Sequence, residues 1–335
     1  MRAITVWQHV DTTLFREQIL PLQQPAILQG LVEQWPLVRL ARESAAQACS
    51  YLLQHANAQP VDAVLLAPDQ HGRLGLDAGL SAFNFVRNRL PLRKIIEQLA
   101  RYSHFSEPPA LAAQSAPIAD CLPGLLPALP MPLLDPAVSP RIWLGNAIVT
   151  PAHFDESHNI ACCGAGRRRF TLFPPDQLAN LYLGPLDLAP TNTPISLVDF
   201  AQPDFDRFPR FRQALDAALV AELAPGDAIY IPPLWWHHVS SLEPLNILIN
   251  YWWRQDSRGQ QPDSALGALW HAVLCLRQLP PAERRAWAGL FEHYIFGPAE
   301  AATAHLPAER HGMLGQLDAT EHQHLRQRIA ALLDG

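Results

Sequence analysis

Two histidines and one aspartate carry the most suggestive chemistry in this protein. In Thr150-Pro151-Ala152-His153-Phe154-Asp155-Glu156, His153 and Asp155 stand two residues apart. On a strand, such residues project to the same face about 7 Å apart along the backbone. They can therefore converge on one ion while Phe154 turns the other way into packing. A third ligand must come from a distant strand. His237 is the candidate, at the end of Pro225-Gly226-Asp227 … Ile231-Pro232-Pro233-Leu234-Trp235-Trp236-His237-His238, where a Gly-Asp turn feeds a strand whose far end would deliver the imidazole. Two imidazoles and a carboxylate on one face of an octahedron leave three positions open, which suits a non-haem Fe(II) centre. A structural zinc site would be closed and would usually recruit cysteine, and Cys162-Cys163 have no partner at zinc-like spacing. An isolated H-x-D is commonplace, and His237 or His238 alone reads equally well as a core or surface histidine. The weight rests on the combination.

The elements that must position these groups are short and strand-rich. Arg141-Ile142-Trp143-Leu144-Gly145, Arg169-Phe170-Thr171-Leu172-Phe173, Asp227-Ala228-Ile229-Tyr230-Ile231 and Asn246-Ile247-Leu248-Ile249-Asn250-Tyr251 favour strands, with Gly and Pro between them. Strands in such close succession predict a sandwich or barrel over residues 141–255. Residues 1–106 mix α and β: Pro25-Ala26-Ile27-Leu28 reads as a buried strand, 44–55 as a helix and 61–66 as a strand. Over 90–99, Leu92, Ile95, Ile96 and Leu99 share a helical face. The proline cluster of 107–140 predicts a long loop or hinge. The tail, 256–335, predicts helices: Leu266, Leu269, Trp270, Val273 and Leu274 form one stripe, and Trp287, Leu290, Phe291 and Tyr294 a second. Leu325, Ile329, Leu332 and Leu333 form a third, opened by Asp318 with Glu321 as a capping box.

Composition fits a large-cored globular protein, with 49 % hydrophobic and 17 % charged among 335 residues. A net charge of -6 supplies no global positive field for nucleic acid or anionic lipid. Five cysteines, an odd number without a CxxC, suit a reducing, cytoplasmic compartment. No apolar run is long enough for a signal peptide or a bilayer span.

The stretch from Trp143 to Trp253 resembles the JmjC-type, cupin-like 2-oxoglutarate oxygenases. Among them it is most similar to the asparaginyl hydroxylase of hypoxia-inducible factor and its bacterial cupin-like relatives. The resemblance rests on Gly145-Asn146, the 150–156 motif, Asn159, Phe173-Pro174-Pro175-Asp176-Gln177, Asp204-Phe205-Asp206-Arg207-Phe208-Pro209, Pro225-Gly226-Asp227 and Trp235-Trp236-His237-His238. Pro25-Ala26-Ile27-Leu28 … Trp35-Pro36 extends it toward the N-terminus. It implies a mainly β fold with α elements: a double-stranded β-helix (a cupin/JmjC barrel) with N-terminal α/β elements and a C-terminal helical tail. It also implies that His153, Asp155 and His237 bind iron, and that a basic residue on the following strand fixes the distal carboxylate of 2-oxoglutarate. Ungapped, that residue is Arg168, whose guanidinium can grip a carboxylate bidentately. Strand alternation then turns Arg167 and Arg169 outward. Thr150 matches a hydroxyl on the same carboxylate, and Asn159 and Asn250 match polar residues lining the cosubstrate pocket. Trp252 matches an aromatic near the substrate channel. One departure stands out: Pro109-Ala110-Leu111-Ala112-Ala113-Gln114-Ser115 has no tyrosine where the family often places one on the cosubstrate, which leaves Gln114 or another group to compensate.

The expected activity is an Fe(II)- and 2-oxoglutarate-dependent dioxygenase that hydroxylates an amino-acid side chain of a peptide or protein. Oxygenation of a small metabolite or free amino acid is the nearest alternative. A cupin isomerase or sugar-processing enzyme would be expected to carry an H-x-H pattern and a glutamate ligand, where Asp155 stands here. A non-catalytic metal-binding cupin module would be expected to have lost a ligand. The three apolar stripes of the tail exceed what capping a barrel end requires, so a homodimer through the C-terminal helices is expected.

Overall fold

The computed structural model describes residues 2–191, 193–254 and 263–333. It divides into two compact units, Met1–Asp263 and Ser264–Gly335. The expected boundary between barrel and tail, at 255/256, lies outside the described residues.

Among the described residues the first unit holds fourteen strands in two sheets: β1 (Arg2–Ala3), β2 (Thr5–Gln8), β3 (Ala26–Gln29), β4 (Pro60–Leu66), β5 (Val86–Pro91), β6 (Ala110–Pro117), β7 (Pro140–Gly145), β8 (Val149–His153), β9 (His158–Ala165), β10 (Arg168–Phe173), β11 (Leu219–Leu223), β12 (Ala228–Ile231), β13 (Trp236–Ser241) and β14 (Asn246–Trp253). One sheet runs β1-β11-β10-β13-β8 and the other β2-β3-β12-β9-β14-β7-β6-β4-β5. Strands β7 to β14 therefore divide between the two sheets, with β12-β9-β14-β7 facing β11-β10-β13-β8, as in a double-stranded β-helix. Between them packs a core that includes Phe170, Leu172, Ile229, Ile231, Val239 and Leu248.

The N-terminal elements extend this barrel. Strand β3 adds antiparallel to β12, with Ile27 opposite Ile229. The helix Leu92–Tyr102 buries Leu92, Ile95, Ile96 and Leu99, the face that the spacing predicts. Ser44 caps the helix Ala45–His55 through a hydrogen bond from Gln47 N to its hydroxyl.

The segment 107–140 differs from the expected loop. It contains β6, which joins the larger sheet between β7 and β4. Pro109 precedes this strand and Pro117 ends it, and between them runs a stretch of small residues, Ala110 to Ala116, broken only by Leu111, Gln114 and Ser115. Small side chains lack the alternation of size and polarity that announces a strand. They are needed here, because a Cβ on Gly145 would lie 2.5 Å from that of Ala112.

In the second unit the helices Ala265–Leu276, Pro281–Phe291 and Ala319–Leu333 carry the three stripes. Asp318 and Glu321 form the expected capping box, with Glu321 N donating to Asp318 Oδ1 at 2.8 Å and Asp318 N to Glu321 Oε2 at 2.9 Å. None of the described helices is long and apolar enough to cross a membrane.

Candidate metal centre

Strands β8 and β13, far apart in sequence, are antiparallel neighbours, and their register sets His153 directly opposite His237. The two imidazole centroids lie 4.2 Å apart. Asp155 falls just beyond the end of β8, in the turn that follows, and not on the strand itself. A second turn secures it: Leu234 adopts a left-handed conformation (φ 64°) and donates its N–H to Asp155 O at 2.8 Å. A non-glycine residue in that region is strained and persists only where its surroundings impose it. Upstream, Gly226 also has positive φ, and a Cβ there would come within 2.7 Å of Arg42 Nη2. Asp227 accepts from Gly30 N and Ala224 N, fixing the turn that launches β12.

The imidazoles are oriented for an ion. His153 Nδ1 donates to Pro151 O at 2.9 Å, and His237 Nδ1 donates to Trp235 O at 3.0 Å. A carbonyl only accepts, so in both rings Nδ1 carries the proton and the Nε2 lone pair is left for coordination. One ligand atom from each of His153, Asp155 and His237 can be chosen so that all three lie within 4.8 Å of one another. Burial and the neighbouring His237 push the His153 pKa down to about 4, so this imidazole is neutral at neutral pH, as a ligand must be. Phe154 turns away, as the alternation predicts, onto the edge of Trp236.

Thr150, His153, Asp155, Asn159, Arg168, His237, Asn250 and Trp252 all line one cavity inside the barrel. Arg168 is 8 % exposed, whereas Arg167 and Arg169 reach outward to Glu222 and Glu243. The Arg168 guanidinium makes no hydrogen bond or ion pair among the described residues, and its Nε is buried without a partner. Burial lowers its pKa to about 10, so it remains a cation at neutral pH. An uncompensated buried charge costs on the order of 3–5 kcal/mol. A carboxylate-bearing ligand would remove that cost, and 2-oxoglutarate fits the requirement. On the far side of Arg168, where the tyrosine is missing, Ala112, Gln114 and Ser241 line an adjoining chamber together with Thr150 and Arg168.

Sequence reasoning places Asn159, Asn250 and Trp252 at the cosubstrate and the channel. The structure links Asn159 and Trp252 to the Asp155 carboxylate directly and Asn250 through Asn159. Trp252 Nε1 donates to Asp155 Oδ2 at 2.9 Å and Asn159 Nδ2 to the same oxygen at 3.2 Å. Behind them, Asn250 Nδ2 donates to Asn159 Oδ1 at 3.4 Å, and Trp143 Nε1 to Asn250 Oδ1 at 3.0 Å. Trp143 is the residue that sequence reasoning misses. The signal that could find it is its place two residues before Gly145 in an inward-facing strand, where an indole needs a polar partner. His238 faces out of the barrel, stacks on Phe200 at 4.4 Å and lines a separate cleft with Arg73 and Ser196.

Known proteins point the same way. A cupin-like domain family model matches residues 12–259. The Jumonji C domain-containing protein 5 of Drosophila melanogaster is 29 % identical over 250 residues, covering 71 % of this chain and 57 % of its own length. Lysine-specific demethylase 8 of Xenopus tropicalis is 26 % identical over 246 residues, covering 71 % and 50 %. Human HSPB1-associated protein 1 is 35 % identical over 119 residues, or 33 % of this chain and 22 % of that protein. The matched region thus spans from about a fifth to somewhat over half the length of these relatives. With the family model covering most of the sequence and the His-Asp-His triad inside its barrel, the protein belongs to the cupin-like domain family.

Proposed function

We propose that this protein is an Fe(II)- and 2-oxoglutarate-dependent oxygenase that hydroxylates an amino-acid side chain of a peptide or protein. The observation that carries the oxygenase reading is the buried Arg168 cation, without a hydrogen-bond or ion-pair partner among the described residues, in the cavity that holds the triad. A non-catalytic metal module has no use for a buried charge at that place.

Iron bound at the triad would supply oxidative chemistry, in which dioxygen gives one oxygen atom to the substrate and the other to 2-oxoglutarate as it is converted to succinate and CO2. The protein's own residues bind and orient. His153, Asp155 and His237 would hold the metal, and Arg168 with Thr150 would take the distal carboxylate. The apolar walls Phe170, Val239 and Leu248 limit water around the reacting groups.

The choice of hydroxylation is motivated by the match to the asparaginyl hydroxylases at positions that iron chemistry does not need, Phe173 to Gln177 and Asp204 to Pro209. Asp204 folds its segment tightly, accepting from Asp206 N and Arg207 N and, through its carbonyl, from Phe208 N. A second reading, removal of an N-methyl group, is favoured by the name of the Xenopus relative. Incubation with Fe(II), 2-oxoglutarate and a cell lysate should give protein-borne mass gains of one oxygen that vanish with His153→Ala. Formaldehyde release from methylated peptide would support the second reading instead, and turnover confined to a small metabolite would defeat both.

We also read the second unit as a homodimerisation element. Its helices Ala265–Leu276, Pro281–Phe291 and Ala319–Leu333 bury none of their own described residues, despite three apolar stripes. Light scattering on the order of tens of micromolar protein, far above the dissociation constant of a stable dimer, should give twice the protomer mass. A monomer there would defeat this reading. A cytoplasmic site of action suits the five unpaired thiols.

A further inference from the structure

Asp155 is the only anionic member of the triad, and its two oxygens are not equivalent. Oδ2 accepts hydrogen bonds from the Trp252 indole (2.9 Å) and the Asn159 amide (3.2 Å). The same oxygen lies 3.7 Å from His237 Nε2, so the two donors hold the side of the carboxylate that faces the imidazoles. Oδ1 accepts no hydrogen bond among the described residues. The donors are themselves held. The Trp252 ring meets that of Trp143 edge to face at 6.1 Å, and the Trp143 indole N–H holds Asn250, which in turn donates to Asn159. Trp252 is partly buried at the end of β14, and Asn159 lies opposite it in the register with β9. Both donors therefore reach the carboxylate from adjacent strands of the larger sheet, while His153 and His237 stand on the smaller one.

We propose that Trp252 is a positioning residue for the metal: with Asn159 it holds Asp155 Oδ2, which lies 3.7 Å from His237 Nε2, and so fixes the rotation of the triad's one carboxylate. This inference rests on the iron-oxygenase reading and deepens it. A carboxylate free to rotate would hold the ion less well. The indole N–H opposes that rotation.

The test uses the full-length protein and Mn(II) as a redox-inert probe, with anaerobic Fe(II) titration alongside. Trp252→Phe keeps an aromatic ring against Trp143 and removes only the N–H donor. Loss of such an outer hydrogen bond to a ligand weakens metal binding about 10- to 100-fold. The same fall is expected here, while the melting temperature of the metal-free protein stays near that of the parent. Asn159→Ala should also weaken binding, and the double variant should lose less than the product of the two single effects, because both donors act on one oxygen. A crystal structure of the Mn(II)-loaded parent should keep the hydrogen bond from Trp252 Nε1 to Asp155 Oδ2. Metal affinity of Trp252→Phe within twofold of the parent, or loss of that hydrogen bond in the metal-loaded parent, would overturn the inference and leave the oxygenase reading standing. A parent that binds neither metal would overturn both.

Discussion

Replacing His153 or His237 with alanine should abolish stoichiometric iron binding, and with it all 2-oxoglutarate turnover. Each imidazole is one of three candidate ligands, and among the described residues the geometry offers no substitute: His238 faces out of the barrel against Phe200, and His158 is engaged with the Tyr230 hydroxyl at 2.9 Å. Since loss of a supporting contact costs about 10- to 100-fold in affinity, loss of a ligand should exceed about 100-fold. Asp155→Ala should be at least as damaging, because it removes the only negative charge that neutralises the ion and strands the Trp252 and Asn159 donors in the cavity. Metal analysis after anaerobic loading and desalting should give one iron per protomer in the parent and close to none in the histidine variants. Folding is monitored separately, since His153 and His237 are almost fully buried and their removal leaves a small void. Retention of one iron per protomer in both histidine variants would show that the triad is misassigned.

The triad is legible in the sequence because strand parity is a strong constraint. Residues two apart on a strand share a face, and although β8 ends at His153 the alternation carries on far enough to bring Asp155 to the imidazoles and send Phe154 onto Trp236. The same parity separates Arg168 from its two arginine neighbours, a distinction that composition alone would miss. Long-range pairing is a different matter. No local signal states that β8 and β13 are neighbours, so the opposition of His153 and His237 has to be carried by the family resemblance. The strand Ala110–Pro117 is hidden because alanine signals neither face, and the prolines around it suggest a loop. The links from Trp143 to Asn250 and from Trp252 to Asp155 are hidden for another reason: an indole N–H gives away its partner only once the strands around it are placed. Trp252 is expected at a substrate channel, and nothing in its own neighbourhood of sequence points to a carboxylate nearly a hundred residues earlier.

Arg168→Ala should raise the 2-oxoglutarate requirement at least about tenfold while leaving iron bound. A hydrogen-bonded contact with a charged group is worth about 1.5–3 kcal/mol, and each 1.4 kcal/mol is a factor of about ten, so tenfold is the lower end of what one arginine–carboxylate contact supplies. The guanidinium sits on β10, across the cavity from the strands of the larger sheet, and is not among the groups that can ligate the ion. Its removal should therefore leave the metal affinity within a few-fold of the parent. The apo protein should change in the opposite sense. Arg168 is a buried cation without a partner among the described residues, so trading it for alanine relieves a desolvation cost even as it opens space, and the apo variant should melt no lower than the parent. Arg168→Lys separates charge from geometry: it should recover part of the affinity, because an ammonium supplies the charge without the planar fork. Arg167→Ala is the control, since that side chain lies on the outer surface with Glu222 and Glu243, and its loss should not change 2-oxoglutarate binding. Binding is read by titrating 2-oxoglutarate into the anaerobic iron-loaded protein, independently of turnover. If Arg167→Ala weakens the cosubstrate and Arg168→Ala does not, then β10 presents the other face to the cavity and the carboxylate site lies elsewhere. If neither does, the buried cation serves some acid other than 2-oxoglutarate, and a panel of short dicarboxylates added to the same protein would find it.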